Sequence, residues 1–165
     1  MAQPTHTQSG MTLMELLIAL SIAALLVAPL AAAILDALKA QAVAGDGNEV
    51  AQQAQFAMQR MAAAVRRTAP HTLAAKAANT SADWLAPVAF CLAANHSLIE
   101  TTPADSACTS NSAAVIADGV SAFSVQSFDA GAAAGPVIEI QLGVTGATGQ
   151  DIALTSHTRL GGGTL

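Results

Sequence analysis

The sequence is poor in aromatic and basic side chains. Phe and Trp together make up 3% of its 165 residues, and Tyr is absent, so any globular part can build only a thin core. Six Lys and Arg residues stand against eleven Asp and Glu residues, which gives a formal charge of -5. An extended basic groove for nucleic acid is therefore not expected. The net charge mainly supports solubility.

Motifs of enzymes and of cofactor sites are also lacking. The sequence has no phosphate-binding P-loop, no GxGxxG and no G-x-S-x-G. Its acidic residues do not follow the spacing of a calcium loop. The histidines stand far apart, without the spacing of metal ligands; they are His6, His71, His96 and His157. We expect no enzymatic activity, no cofactor, no metal and no small-molecule ligand.

Cysteine occurs only twice, at Cys91 and Cys108. This spacing excludes the CxxC pattern of redox and zinc sites. The two cysteines bracket a polar loop, which a disulfide could close if the compartment is oxidising. By the chain-entropy argument such a bond raises the free energy of unfolding by about 3 kcal/mol. Two buried free thiols are the alternative.

A long apolar segment near the N-terminus is the most prominent feature that is present. From Met11 to Leu35 the only charged residue is Glu15. As a helix, residues 11–35 would span about 37 Å, enough for a hydrocarbon core of about 30 Å. Pro29 would kink or loosen this helix, which membrane helices tolerate. Glu15 is the anomaly, because a charge in hydrocarbon is costly unless it lies near the interface or has a partner.

Two common kinds of segment explain these features incompletely. A secretory signal peptide could be cleaved after Ala33 in "VAPLAAA" and release an exported binding domain, but the leader has no Lys or Arg. In addition, Glu15 lies where the apolar region of such a peptide should begin. An ordinary single-pass anchor does not explain why a charged residue, Glu15, lies near the start of the apolar segment.

The stretch "G-MTLMELLIALSIAALLVA" resembles the class III signal sequence of type IV pilins and type II secretion pseudopilins. That sequence has a short polar leader ending in Gly, then a hydrophobic residue, Thr, Leu, any residue and Glu. The match comprises Gly10, Met11, Thr12, Leu13 and Glu15 with the apolar run that follows. The chain departs from the family in having no Lys or Arg in the leader and Met instead of the more common Phe after the Gly.

The resemblance implies a processing step and an assembly step. A prepilin peptidase would cut after Gly10 on the cytoplasmic side and methylate the new amino terminus of Met11. Glu15 would become the fifth residue of the mature chain and pair with the terminal amine of a neighbouring subunit. A charge in an apolar medium is tolerable when paired, so the pair could set the register of assembly. The implied partners are the peptidase, other pilins and the inner membrane.

The middle of the chain predicts an amphipathic helix that ends before Pro70. Apolar residues recur there at steps of three and four positions: Val50, Ala54, Ala57, Met61 and Val65. Arg60 and Arg67 are expected to be solvated. The two glycines of "GDGN" predict a break in the helix near residues 45–48.

Beyond Pro70 the pattern predicts strands. "PVAFCLA" forms one short run, and Asp118-Gly119 is a turn signal between two further apolar runs. "PVIEIQLGV" alternates strictly and "DIALTSHTRL" continues in phase, so three or four antiparallel strands are expected. Their apolar face needs a cover, which the helix ending near Thr68 supplies.

The predicted fold is α+β and pilin-like, with a long helix packed on a small antiparallel sheet. The predicted organisation is a leader at 1–10, a transmembrane and assembly helix at 11–35, an amphipathic helix at 36–69, a periplasmic sheet region at 70–160 and a flexible tail at 161–165. Three stretches also resemble J-type minor pseudopilins and minor pilins: "QFAMQRMAAAVRR", "VIADGVSAFSVQSFDAG" and "PVIEIQLGV". We expect a minor pilin or pseudopilin, anchored in the inner membrane or displayed on a pilus at the cell surface. Secretion, motility, adhesion and DNA uptake remain open.

Overall fold

A computed structural model describes residues 12–105, 107–110, 113–128 and 136–161. In these residues the chain forms one helix and six strands, an α+β arrangement. The elements are α1 (Leu13–Arg67), β1 (Ala89–Leu92), β2 (Leu98–Thr101), β3 (Ala114–Ala117), β4 (Val120–Phe128), β5 (Val137–Thr145) and β6 (Asp151–Arg159). The chain divides into two compact units, Met1–Ala42 and Val43–Leu165.

The first unit contains the N-terminal part of α1. Its Leu, Ile, Met and Val side chains between Leu13 and Leu38 are 53% to 78% exposed. This part includes an 18-residue window with a mean hydropathy of 2.6, so by length and composition the helix can cross a membrane. The unit therefore has no core of its own among the residues that the structure describes.

The second unit has one core, which the rest of α1 shares with two antiparallel sheets. The first sheet has the strand order β1-β2-β3 and the second the order β4-β5-β6. The predicted apolar face of the helix is confirmed, since each of its members is at most 5% exposed: Val50, Ala54, Ala57, Met61 and Val65. They belong to the same hydrophobic cluster as Phe90 and Leu98 of the first sheet.

The alternation predicted for β5 is also confirmed. Ile138, Ile140, Leu142 and Val144 are at most 1% exposed and join the core cluster. The β4–β5 register places Val125 opposite Ile140 and Phe123 opposite Leu142, which are apolar pairs on the core face. These cross-strand pairs fix the register, since a slip by one residue would turn the apolar set outward.

The predicted break near residues 45–48 is wrong, because α1 continues through them. Asp46 accepts hydrogen bonds from the backbone N–H of Ala147 (3.1 Å) and of Thr148 (2.9 Å), and from the Thr148 hydroxyl (2.6 Å). Each helical glycine costs about 1 kcal/mol relative to alanine. The hydrogen bonds of Asp46 with the β5–β6 turn offset this cost. Helix propensities do not include such tertiary contacts.

The strand count also differs from the prediction of three or four. The loop between the cysteines contains β2, whose Leu98 and Ile99 are buried. Asp118-Gly119 is indeed a turn between two strands, but β3 and β4 belong to different sheets. The turn therefore carries the chain from one sheet to the other.

Candidate functional site

Thr12 caps the N-terminus of α1. The backbone N–H of Glu15 donates to the Thr12 hydroxyl oxygen (3.3 Å) and carbonyl oxygen (3.1 Å), and the N–H of Leu16 donates to the same carbonyl (3.1 Å). Ser and Thr are favoured at this position because their oxygen accepts from N–H groups that have no partner within the helix. Sequence reasoning missed this role, although the T-x-x-E spacing of a capping box signals it.

Glu15 lies in the first turn of α1, where the helix dipole favours a negative charge. It is exposed, and neither ion pair found in the described part of the chain involves it. The dipole lowers the cost of placing this carboxylate next to an apolar run. Its side chain is therefore open to a partner from another molecule.

An uncharged run follows Glu15 directly. Residues 16–35 contain no Asp, Glu, Lys or Arg and as a helix extend about 30 Å, the thickness of a hydrocarbon core. Within this run the Ser21 hydroxyl donates to the Leu17 carbonyl (2.8 Å), so its polar group is satisfied. Pro29 has no N–H for the Leu25 carbonyl, which weakens the helix at one point.

The predicted cleavage site lies outside the described residues. Gly10 and Met11 precede Thr12, where the description begins. The structure thus describes the part of the motif from Thr12 onward, with Thr12 and Glu15 joined in one helical cap.

Cys91 and Cys108 form a disulfide in the structure, with their Cα atoms 5.9 Å apart. Cys91 lies in β1 and is buried, whereas Cys108 follows β2. Between them, Asp105 accepts hydrogen bonds from the backbone N–H groups of Thr109 and Ser110, both 3.0 Å long. The hydrogen bond from the Thr109 backbone N–H is the largest of the interactions that lower the pKa of Asp105. The disulfide and this carboxylate together hold the loop that contains β2.

The remaining polar side chains are spread over the second unit. Arg60 is exposed, as expected, and it also forms a two-bond ion pair with Glu100, with nitrogen–oxygen distances of 2.5 and 2.8 Å. These hydrogen bonds raise the pKa of Arg60. His157 lies 3.8 Å from Glu139, whereas His71 and His96 contact backbone carbonyls elsewhere. Within the described ranges, no three His, Cys, Asp or Glu residues come together as metal ligands.

Comparison with protein families favours one interpretation of the N-terminal segment. Residues 5–31 match the family described as "Prokaryotic N-terminal methylation motif". The chain carries the signature of type IV pilins and pseudopilins. This signature implies processing by prepilin peptidase and assembly with other pilins, and it supports a pilin-like exported subunit. No curated protein and no solved structure matches the chain.

The folded residues agree with this signature. A pilin-like subunit combines a long N-terminal helix with a small antiparallel domain, and the structure has both. The apolar helix in the first unit is consistent with a membrane-anchored subunit. The J-type subtype rests only on the three short resemblances in the sequence.

Proposed function

We propose that the chain is a minor structural subunit of a type II secretion pseudopilus or a type IV pilus. The match of residues 5–31 to the methylation motif carries this proposal. The exposed apolar helix supports it, because a surface of this kind needs a lipid or protein cover. The three stretches that resemble J-type minor pseudopilins favour a minor subunit.

The proposed maturation creates a charge at the start of the helix. Prepilin peptidase cuts after Gly10 on the cytoplasmic side of the inner membrane and methylates Met11. The methylated amine remains a cation, and it is separated from Glu15 by three residues. The amine of one subunit then pairs with Glu15 of its neighbour as the helices leave the lipid. Because a buried charge without a partner is strongly unfavourable, this pairing selects one stagger between subunits.

In this proposal the two units occupy different environments. Residues 16–35 span the inner membrane before assembly, and the second unit folds in the periplasm. An oxidising periplasm favours the disulfide between Cys91 and Cys108. The location of the cysteines in the second unit, and not in the apolar helix, fits this division.

The Glu15→Gln variant tests the proposed pairing. The substitution keeps the size of the side chain and removes its charge, which leaves the partner amine unpaired. We expect normal cleavage after Gly10 and at least a tenfold loss of incorporation into sheared filaments, because breaking a buried pair costs about 3–5 kcal/mol. Immunoblots of the filament and membrane fractions measure both quantities.

Asp36→Asn is the matched control. Asp36 is exposed on the same helix directly after the uncharged run, and its substitution removes the same charge. We expect incorporation within twofold of the wild type. Equal incorporation of the wild type and Glu15→Gln would reject the pairing role of Glu15.

A further inference from the structure

A groove lies beside the C-terminal end of α1, in the second unit. Its volume is about 320 Å³, which falls within the size range of small-ligand sites. Residues of α1 between Arg60 and Arg67 line one side of it, and the segment 85–88 lines another. Phe90 of β1 and Glu100 of β2 also line it. We call this cavity the α1 groove.

The lining of the α1 groove is mostly apolar. Leu85 and Phe90 are each 1% exposed and belong to the core cluster, so the groove borders directly on the core. Ala63 and Ala64 line the helix side, and their side chains are single methyl groups. The helix therefore takes up little space at this point. The transfer of an aliphatic group from water to such walls is favourable.

Glu100 holds the guanidinium group of Arg60 in place within the lining of the groove. Nε and Nη2 of Arg60 donate to the two carboxylate oxygens of Glu100, at 2.5 and 2.8 Å. A guanidinium group has five N–H donors, so this ion pair leaves others available to a ligand. Because Arg60 is already ordered, a ligand that binds to it loses less free energy to the ordering of side chains.

Arg67 contributes a second guanidinium group to the α1 groove. It is exposed, and neither ion pair found in the described residues involves it. Arg67 follows Arg60 by about two turns of α1, so both side chains lie on the same face of the helix. Two guanidinium charges and the Glu100 carboxylate give the lining a net charge of +1. A single negative charge on a ligand would make the groove neutral.

We propose that the α1 groove binds a small aliphatic monocarboxylate. The carboxylate group of the ligand accepts hydrogen bonds from Arg67 and Arg60, because guanidinium and carboxylate groups form paired, charge-assisted hydrogen bonds. The aliphatic tail lies against the apolar lining, which includes Leu85 and Phe90. This binding activity goes beyond the proposed role in assembly and does not depend on cleavage after Gly10.

Calorimetric titration of the full chain in detergent micelles with hexanoate tests the class of ligand. We expect a dissociation constant of about 0.1–1 mM, as for other small ligands with one charged group. Titration of micelles without protein corrects for partition of hexanoate into the detergent. Acetate lacks most of the tail and hexanamide lacks the charge, so each should bind at least fivefold more weakly. Binding of acetate or of hexanamide as tight as that of hexanoate would overturn the proposal.

Arg67→Gln and Arg66→Gln form a matched pair of variants. Both substitutions remove one positive charge from the last turn of α1, but Arg66 is not among the residues that line the groove. We expect Arg67→Gln to weaken hexanoate binding at least fivefold and Arg66→Gln to weaken it less than twofold. Equal weakening would mean that the anion responds only to the general charge at the helix end, which would overturn the proposal.

Ala63→Leu tests the apolar part of the site without a change of charge. The larger side chain fills part of the groove, and leucine is a good helix former, so the fold should be retained. We expect hexanoate to bind at least fivefold more weakly. Gln59→Leu is the control, because Gln59 is exposed on the same helix and does not line the groove. Its affinity should stay within twofold of the wild type, and unchanged affinity in Ala63→Leu would contradict the proposed position of the tail.

Discussion

Asp46 is a single carboxylate that joins two parts of the second unit. Its oxygens accept one side-chain and one backbone hydrogen bond from Thr148 and one backbone bond from Ala147. The side-chain bond from Thr148 is the largest cause that lowers the pKa of Asp46 below its ordinary value of 3.8. A lowered pKa in the folded state means that the stabilisation is present above the ordinary value. It is lost as the pH falls through the folded value.

The Asp46→Asn variant should therefore be less heat-stable than the wild type at pH 7. The difference in Tm should shrink as the pH falls below the ordinary pKa of 3.8, because the wild-type carboxylate then also loses its charge. Thermal unfolding followed by circular dichroism at several pH values measures this difference. Glu49→Gln is the control, since Glu49 is exposed on the same helix. A difference that stays constant down to pH 2 would contradict the role of the Asp46 charge.

Single residues also show how far sequence could define the candidate site. The roles of Gly10, Met11 and Glu15 are predicted from a short motif, because processing by a peptidase depends on local sequence, and they stay predictions. The T-x-x-E spacing of the same motif also signals the cap formed by Thr12, but only the structure gives the hydrogen bonds of this cap. The partner proposed for Glu15 belongs to another subunit, so the sequence of one chain cannot reveal its position.

At the scale of elements, prediction was accurate where a pattern was long. The helix face from Val50 to Val65 and the alternation of β5 each repeat over several residues, and both are confirmed. β2 has four residues, too few for alternation to stand out from the polar loop around it. The helix through residues 45–48 was missed for a different reason, since the contacts of Asp46 come from residues about 100 positions later.

The turn between β3 and β4 provides a prediction at this scale. Gly119 has a φ of +66°, and a Cβ there would lie 2.6 Å from the Thr145 carbonyl oxygen. Gly119→Ala should therefore lower the free energy of unfolding by about 2–4 kcal/mol, through backbone strain and this clash. Urea denaturation of the chain in micelles measures the loss.

Gly149 separates the two causes. It also has a positive φ, of +80°, but a Cβ there would meet nothing within 4 Å. Gly149→Ala should therefore cost only about 1–2 kcal/mol, from backbone strain alone. Equal losses at the two positions would show that the contact with Thr145 does not matter.

The whole molecule combines two surfaces of opposite character. Among the described residues, the first unit exposes its large apolar side chains, whereas the second unit buries most of its own in one cluster. Exposure of the apolar surface of the first unit to water is unfavourable. Burial of one such side chain would contribute about 1.5–3 kcal/mol of stabilising free energy. In the proposed function, lipid covers this surface before assembly, and the helices of other subunits cover it afterwards.

In the proposed function, a cut after Gly10 makes this membrane-anchored chain competent to join a filament. Intact mass and N-terminal sequencing of the protein from the membrane fraction test it most directly. We expect a chain that starts at Met11, carries one added methyl group on its amine and retains the apolar helix. A chain that starts at Ile34, after a signal-peptidase cut at Ala33, would contradict it.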